Sequence, residues 1–450
     1  MPETLFPLPE ANAQPAEIGL GKPRLERANR QQVSMRYAAL DDLLPEEHRA
    51  RLVWAMVESY DLSRFYGRIE AVEGEAGRPA IDPRLLVGVW LYGTLEGVVS
   101  ARELARLCEE HLAYQWLLGG VSVNYHTLAD FRVEYEAELD DLLTKSVAAL
   151  MSEGVVSIEQ TAQDGMRIRA SAGASSFRRK PTLDECLRKA QAAVKEQKAM
   201  QEAGENDLRT RREQAAQQRH AQDRLERVKK ALEEVEKVAA KRQKNRETRR
   251  KKRPPRASTS DPQARVMKMA DGGFRPAYNG QLTIDMDSRI IVGVEVSNEA
   301  DQRLLAPMLA QIEERFEQLP QEHYVDGGFR SNLGIEHAAE KGIAVFSPIP
   351  TRYSGNSRKR PEEILPTDGP GVRAWKERMQ TEVAQKKYKQ RAATIEWANA
   401  LARNRGLYRL LVRGIHKARA VLLWYALAHN LLQELNLRLK VQGQAIGCQA

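Results

Sequence analysis

The sequence predicts an α/β protein: a mixed sheet flanked by helices, preceded by an all-α segment and interrupted by a long helical insertion. Three observations carry this. Residues 36–152 show helical apolar spacing punctuated by cap signals. Short alternating stretches between 161 and 347 read as strands separated by helices. Between them, residues 177–260 carry 26 Lys or Arg against 13 Asp or Glu at helical spacing. A length of 450 residues exceeds one ordinary domain, and a 42% hydrophobic content excludes a wholly disordered chain.

The elements follow in order. Residues 1–35 are Pro-rich and aperiodic, a tail. Leu44-Pro45-Glu46-Glu47 opens a helix with apolar positions at Leu52, Val53, Met56 and Val57. Asp82-Pro83 reads as an N-cap followed by proline at the first helical position, and the apolar helix after it as the centre of the segment. Ser100 to Glu103 and Thr127 to Asp130 read as capping boxes. Short helices, tight turns and scattered Arg suggest a helix-turn-helix-like module over 36–152, although helical pattern alone does not show DNA contact. Residues 161–171 alternate as a strand that places Asp164 on the apolar face with Ala162, Met166 and Ile168. A lone carboxylate there is costly without a cation.

Residues 177–260 read as a basic hairpin of two long helices broken near Gly204, ending in the run 241–256 with ten basic residues and one Glu. Set against a net charge of +9, that +13 leaves the remainder near −4. The positive charge is therefore a local device, suited to phosphate backbones. Strands at 278–285 and 290–296 flank a turn at 286–288. Asn298 is a candidate cap for a helix over 301–316. A strand at 323–326, a helix at 333–341, a strand at 343–347 and long helices over 372–440 complete the catalytic segment assigned to 153–440, with a short tail at 441–450. Gly280 stands within a central strand, where glycine weakens packing.

Without the insertion the order is βββαβαβα, that of a ribonuclease-H-like mixed sheet. In such a sheet carboxylates on the first strand, the fourth strand and the last helix converge, and Asp164, Asp326 and Glu396 occupy those places. Three carboxylates can hold two Mg²⁺ (or Mn²⁺) ions about 3.5 to 4 Å apart, activating an attacking oxygen and stabilising a leaving one. Rivals exist: Asp271 in a second Asp-Gly-Gly-Phe, Glu377 or Glu382 as third carboxylate, and Asp285 and Asp287, which read as turn residues.

These features resemble the DDE transposases of bacterial insertion sequences, most of all the group named for insertion sequence eleven-eighty-two. The resemblance runs from about Arg36 to Leu432, on GRPAIDPRLL (77–86), SARELARLCEEH (100–111), NYHTLADFR (124–132), AQDGMRIRASAGASSFRR (162–179), MADGGFRPAYN (269–279), VDGGF (325–329) and RAATIEW (391–397). It implies an N-terminal helical domain that binds element ends and a catalytic domain that cuts them and joins them to target DNA. It also implies double-stranded DNA as partner, bound by an oligomer of the chain.

One departure matters. The third acidic residue of such enzymes usually lies in Tyr-x2-Arg-x3-Glu-x6-Lys/Arg. Here Glu396-x6-Arg403 fits, but Tyr388 and Arg391 each stand one residue early. At about 100° per residue Arg391 would lie about 140° from Glu396, off its face. Lys389 and Arg403, each seven residues away, would share that face and are the expected phosphate contacts, with Arg249, Arg250, Lys251, Lys252 and Arg253 of the basic run. A non-catalytic DNA-binding relative and a ribonuclease-H-like nuclease without strand transfer remain alternative readings. The three scattered cysteines (Cys108, Cys186, Cys448), the absence of an apolar leader and of any apolar run of roughly 18 residues predict a soluble cytoplasmic protein with no membrane partner.

Overall fold

The packing of one C-terminal helix against both a mixed sheet and a bundle of short helices organises the chain. The structure, a computed structural model, describes residue 31 and residues 37–71, 79–202, 208–244, 254–350 and 362–441. The chain divides into two units, Met1–Leu43 and Leu44–Ala450. The described part of the first holds only a 3₁₀ turn, Asp41–Leu43. The predicted tails, the hairpin break near Gly204 and Arg249 to Arg253 lie largely or wholly outside the described residues.

The second unit begins with seven helices: α1 Arg49–Ser59, α2 Ser63–Tyr66, α3 Pro83–Leu95, α4 Ala101–Glu110, α5 Leu112–Leu118, α6 Tyr125–Glu134 and α7 Glu136–Ser152. The caps explain their starts. Asp82 accepts from the Arg84 N–H at 2.8 Å, and Ser100 accepts from the Glu103 N–H at 3.4 Å, both as expected. Two starts differ. His48, past the predicted Leu44 opening, caps α1, and Asn124 caps α6 by accepting from the Thr127 N–H at 2.9 Å. Thr127 is thus the capped residue, not the cap. Apolar α3 is the centre of this bundle, buried over most of its length.

The sheet contains β1 Gln160–Arg169, β4 Arg265–Lys268, β5 Phe274–Asp285, β6 Ile291–Ser297, β7 Glu322–Val325 and β8 Ala344–Phe346; β2 Phe177–Arg178 and β3 Ala257–Ser258 form a separate pair. The order runs β6-β5-β1-β7-β8, with β4 and β6 sharing the edge of β5 away from β1. β1 is antiparallel to β5 and parallel to β7, which is parallel to β8. The fold is therefore a mixed α/β arrangement, as expected. Between β2 and β3, helices α8 Lys180–Glu202 and α9 Leu208–Lys244 pack on each other through two small clusters, Leu183/Ala231/Val235 and Ala190/Val194/Ala221/Leu225. The β2–β3 pair closes the base of this insertion.

Helices α10 Leu305–Phe316, α11 Asn332–Glu340, α12 Pro370–Gln380 and α13 Glu382–Lys389 precede a π-helical turn, Ala392–Glu396, followed by α14 Trp397–Asn404 and α15 Ile415–Val441. Asn298 does not cap α10: its side-chain amide donates to the Gln263 carbonyl at 2.9 Å. Helix α15 packs on β6, α3, α6 and α7, so a single hydrophobic core runs from the N-terminal helices into the sheet. Gly280 is what lets α15 lie so close. A Cβ there would stand 2.8 Å from both Ile168 Cδ1 and Leu422 Cδ2. Its lost packing is offset by this approach, the opposite of the weakness expected of it. Among the described residues no helix is long and apolar enough to cross a membrane.

Candidate functional site

Register places two of the three predicted carboxylates side by side. β1 and β7 pair in parallel up to Gln163 opposite Val325, so the next residues are Asp164 and Asp326 on neighbouring strands. Adjacent strands lie about 4.8 Å apart. Asp164 is mostly buried, its side chain 18% exposed. Burial pushes its carboxyl above the usual range, Arg391 pulls it down, and Asp326 pushes it up again. Its Oδ1 accepts from the Gly165 N–H at 2.9 Å, and its Oδ2 from Asn399 Nδ2 at 2.9 Å.

Asp326 follows the end of β7 and turns the chain by accepting from the Gly328 N–H at 2.6 Å. The rival motif makes the same turn, Asp271 accepting from the Gly273 N–H at 3.0 Å, but Asp271 is exposed and held by Arg275 at 2.6 Å. It is not among the charges that shift Asp164. Glu377 and Glu382 are exposed on α12 and α13. Asp285 is a buried turn residue, accepting from Ser288 and from the Ile158 N–H.

The third carboxylate arrives through the π turn, and here the helical-wheel expectation fails. Arg391 does meet Glu396: its Nη1 donates to Glu396 Oε1 at 2.9 Å, while its Nη2 lies 3.1 Å from Asp164 Oδ1. The reason is the intervening Ala392–Glu396 turn. In π-helical bonding a residue five along, rather than four, comes round to the same side. The one-residue excess between Arg391 and Glu396 is thus absorbed locally, and the usual Arg–Glu juxtaposition is kept. The same turn breaks the α-helical path from Lys389 to Glu396, so the shared-face argument for Lys389 lapses. It holds for Arg403, since α14 is uninterrupted.

Arg391 is buried, its side chain 6% exposed, and its guanidinium bridges Asp164 and Glu396. Glu396 itself is half exposed. Half-buried Tyr388 senses the whole constellation: burial raises its phenol, Arg391 lowers it, and Asp326, Glu396 and Asp164 each raise it further. The structure therefore brings Asp164, Asp326 and Glu396 within electrostatic reach of one phenol. Among the described residues, however, no three metal-ligating side chains are gathered closely enough to enclose an ion. The donors are nevertheless of the hard-oxygen kind that Mg²⁺ or Mn²⁺ takes. Beside them, Asn399 Oδ1 is buried with no hydrogen-bond partner.

Sequence reasoning missed Asn399. The available signal was an amide within the buried stripe Ile395, Ala398 and Ala402. Arg403 lines a groove that begins at Gly165, the residue after Asp164. Behind the strand lies a second polar group. Arg167 pairs with Asp301 at 2.6 Å, and Asp301 accepts from Asn279 at 2.7 Å and Gln281 at 3.0 Å. Gly165 is required by it, since a Cβ there would lie 2.5 Å from Asp301 Oδ1.

Two known families match the chain, one towards each end. Residues 38–134 match the family described as Transposase domain (DUF772), and residues 370–434 match the family described as Transposase DDE domain. The second match contains Arg391, Glu396, Asn399 and Arg403. Together the matches support a transposase of the DDE, insertion-sequence type. No curated protein and no solved structure matches the chain.

Proposed function

We propose that the chain is a DDE transposase that cuts DNA at insertion-sequence ends and joins the freed ends to target DNA, within the group the sequence resembles. The observation that carries this is the meeting of Asp164 and Asp326 on adjacent parallel strands, with Glu396 tied to Asp164 through Arg391. The strand order β6-β5-β1-β7-β8, antiparallel on one side of β1 and parallel on the other, supports a ribonuclease-H-like reading of the sheet.

Asp164, Asp326 and Glu396 would hold the divalent cation, Mg²⁺ or Mn²⁺. Bound there, it would lower the cost of forming a nucleophilic oxygen and of expelling the leaving one. The chain's own groups do the rest. Asn399 fixes one oxygen of Asp164, and the Gly165 N–H fixes the other, so the carboxylate's orientation is set before DNA arrives. Arg391 neutralises Asp164 and Glu396 in the free protein, which otherwise would hold like charges together. Arg403, exposed at the mouth of the site, contacts a phosphate, and Lys389 and the run from Arg249 to Arg253 add phosphate contacts. Water attacks the phosphodiester at the element end and a 3′-OH leaves. That 3′-OH then attacks a target phosphodiester, expelling another 3′-OH, without a covalent protein–DNA intermediate.

The test is Asp164→Asn on a duplex carrying an element end. Cleavage should fall by at least about a thousandfold, given how strongly such sites depend on their charged groups. Binding to the duplex should be unchanged. Cleavage equal to that of the unsubstituted protein would remove Asp164 from the chemistry. Free ends without joined products would leave a nuclease in place of a transposase.

A further inference from the structure

We propose that the groove leading away from Gly165 holds an unpaired DNA strand, with a base stacked on Tyr408 and its backbone clamped by Arg169, Lys268 and Arg403. This deepens the transposase reading and rests on it. The groove is lined by Gly165, Arg169, Lys268, Arg275, Arg403 and Tyr408, among others. With Arg167 also in its lining, it follows the face of β1 opposite the Asp164 side chain, and runs between the end of β1, the β4–β5 ridge and the start of the 408–410 segment.

The walls are fixed by backbone bonds. The Arg169 N–H donates to the Tyr408 carbonyl at 3.0 Å, and the Leu410 N–H donates to the Arg169 carbonyl at 2.8 Å. These set the Tyr408 ring beside the last residue of β1. Arg275 is occupied by Asp271 at 2.6 Å. Arg169, Lys268 and Arg403 are exposed and have no ion-pair partner among the described residues. Three exposed cations on one groove, of which Arg169 alone feels the charge of Asp271 in the same lining, attract a polyanion.

The aromatic ring selects which polyanion. Tyr408 is 58% exposed, although large apolar rings are normally covered. Phe274, on the adjoining ridge, is 70% exposed. Bases in a duplex are stacked on each other and offer no free face, whereas an unpaired base can stack on a ring flanked by Arg.

The test uses the full chain in EDTA, so that no cleavage occurs, and measures fluorescence anisotropy of a labelled single-stranded deoxyoligonucleotide of about twelve nucleotides against a duplex of equal length. Tyr408→Ala should weaken single-strand binding at least about fivefold and leave duplex binding unchanged, while Tyr408→Phe retains it. Arg169→Gln with Lys268→Gln should weaken single-strand binding about tenfold and reduce the salt slope by about 1.4, the value for two lost phosphate contacts on a single strand. All three side chains altered here are at the surface, and matched thermal unfolding confirms that the variants fold. Tyr408→Ala binding the single strand as tightly as the unsubstituted protein overturns the proposal. The two readings fail separately: loss of selective single-strand binding with end cleavage intact removes the groove alone, whereas selective binding without end cleavage removes the transposase reading alone.

Discussion

His323 shows how a single side chain ties the site to pH. It is fully buried on β7, three residues before Asp326, with Nδ1 2.8 Å from Thr161 Oγ1 and Nε2 3.2 Å from Gln163 Oε1. Burial drives its pKa from 6.5 down to about 3. Between those values the unfolded chain binds a proton that the folded chain does not, so stability rises with pH across that window and is lost as pH falls through it. Urea midpoints should therefore fall steadily from pH 7 to pH 4, and His323→Gln, which keeps hydrogen-bonding capacity without titrating, should flatten the curve. An equal slope in both proteins would assign the acid sensitivity elsewhere. Nothing in the sequence marked His323, because a strand that is buried on both faces gives no alternation to reveal its polar members. Asp164 was legible for the converse reason: a carboxylate in an apolar alternation asks for a counter-charge. The structure supplies it as Arg391.

At the scale of elements, what is legible depends on whether a feature is periodic. The β5–β6 hairpin, the insertion and the α3 cap follow from alternation, charge and Asp-Pro. The π turn does not, because its register is set by which carbonyl each N–H selects, and residue type barely encodes that choice. The sequence did show its trace, the single extra residue between Arg391 and Glu396. If the turn is an absorbed insertion, deleting Ala393 should restore an α-helical path, retain end cleavage and leave the melting temperature unchanged or higher. Adding a further Ala after Ala393 should rotate Glu396 away from Arg391 and abolish cleavage. Deletion that destroys cleavage as completely as insertion would show that the π geometry itself is needed. Asn430 illustrates the other invisible class. Its amide accepts from the Ile291 N–H at 2.7 Å and donates to the Ile291 carbonyl at 2.8 Å, satisfying the start of β6 where the β5–β6 register shifts. A long-range side-chain bond of this kind cannot be read from local pattern.

Across the whole molecule, the sequence separates a helical N-terminal segment from the sheet, yet says nothing of which faces meet. The structure joins them through apolar burial under α15 and through one charged knot. Asp140 of α7 pairs with Arg315 of α10 and, at 2.7 Å, with Arg419 of α15, while Arg419 also reaches Glu136 at 2.9 Å. Arg315 is only 5% exposed, and burial already lowers its pKa. Removing its partner leaves a buried guanidinium with the Val292 carbonyl as its remaining hydrogen-bond acceptor. Asp140→Ala should cost about 2 kcal/mol, less than the roughly 3 to 5 kcal/mol of a fully buried pair, because Asp140 keeps 29% of its side-chain exposure. Because the core is continuous beneath α15, the variant should still unfold in one transition, at lower denaturant. Two separated transitions would mean that the charged knot, and not the shared core, couples the helical segment to the sheet. An unchanged midpoint would mean that it couples nothing. A single shifted transition would make the helical segment and the sheet one cooperative unit, joined by the shared core beneath α15 and strengthened by the charged knot.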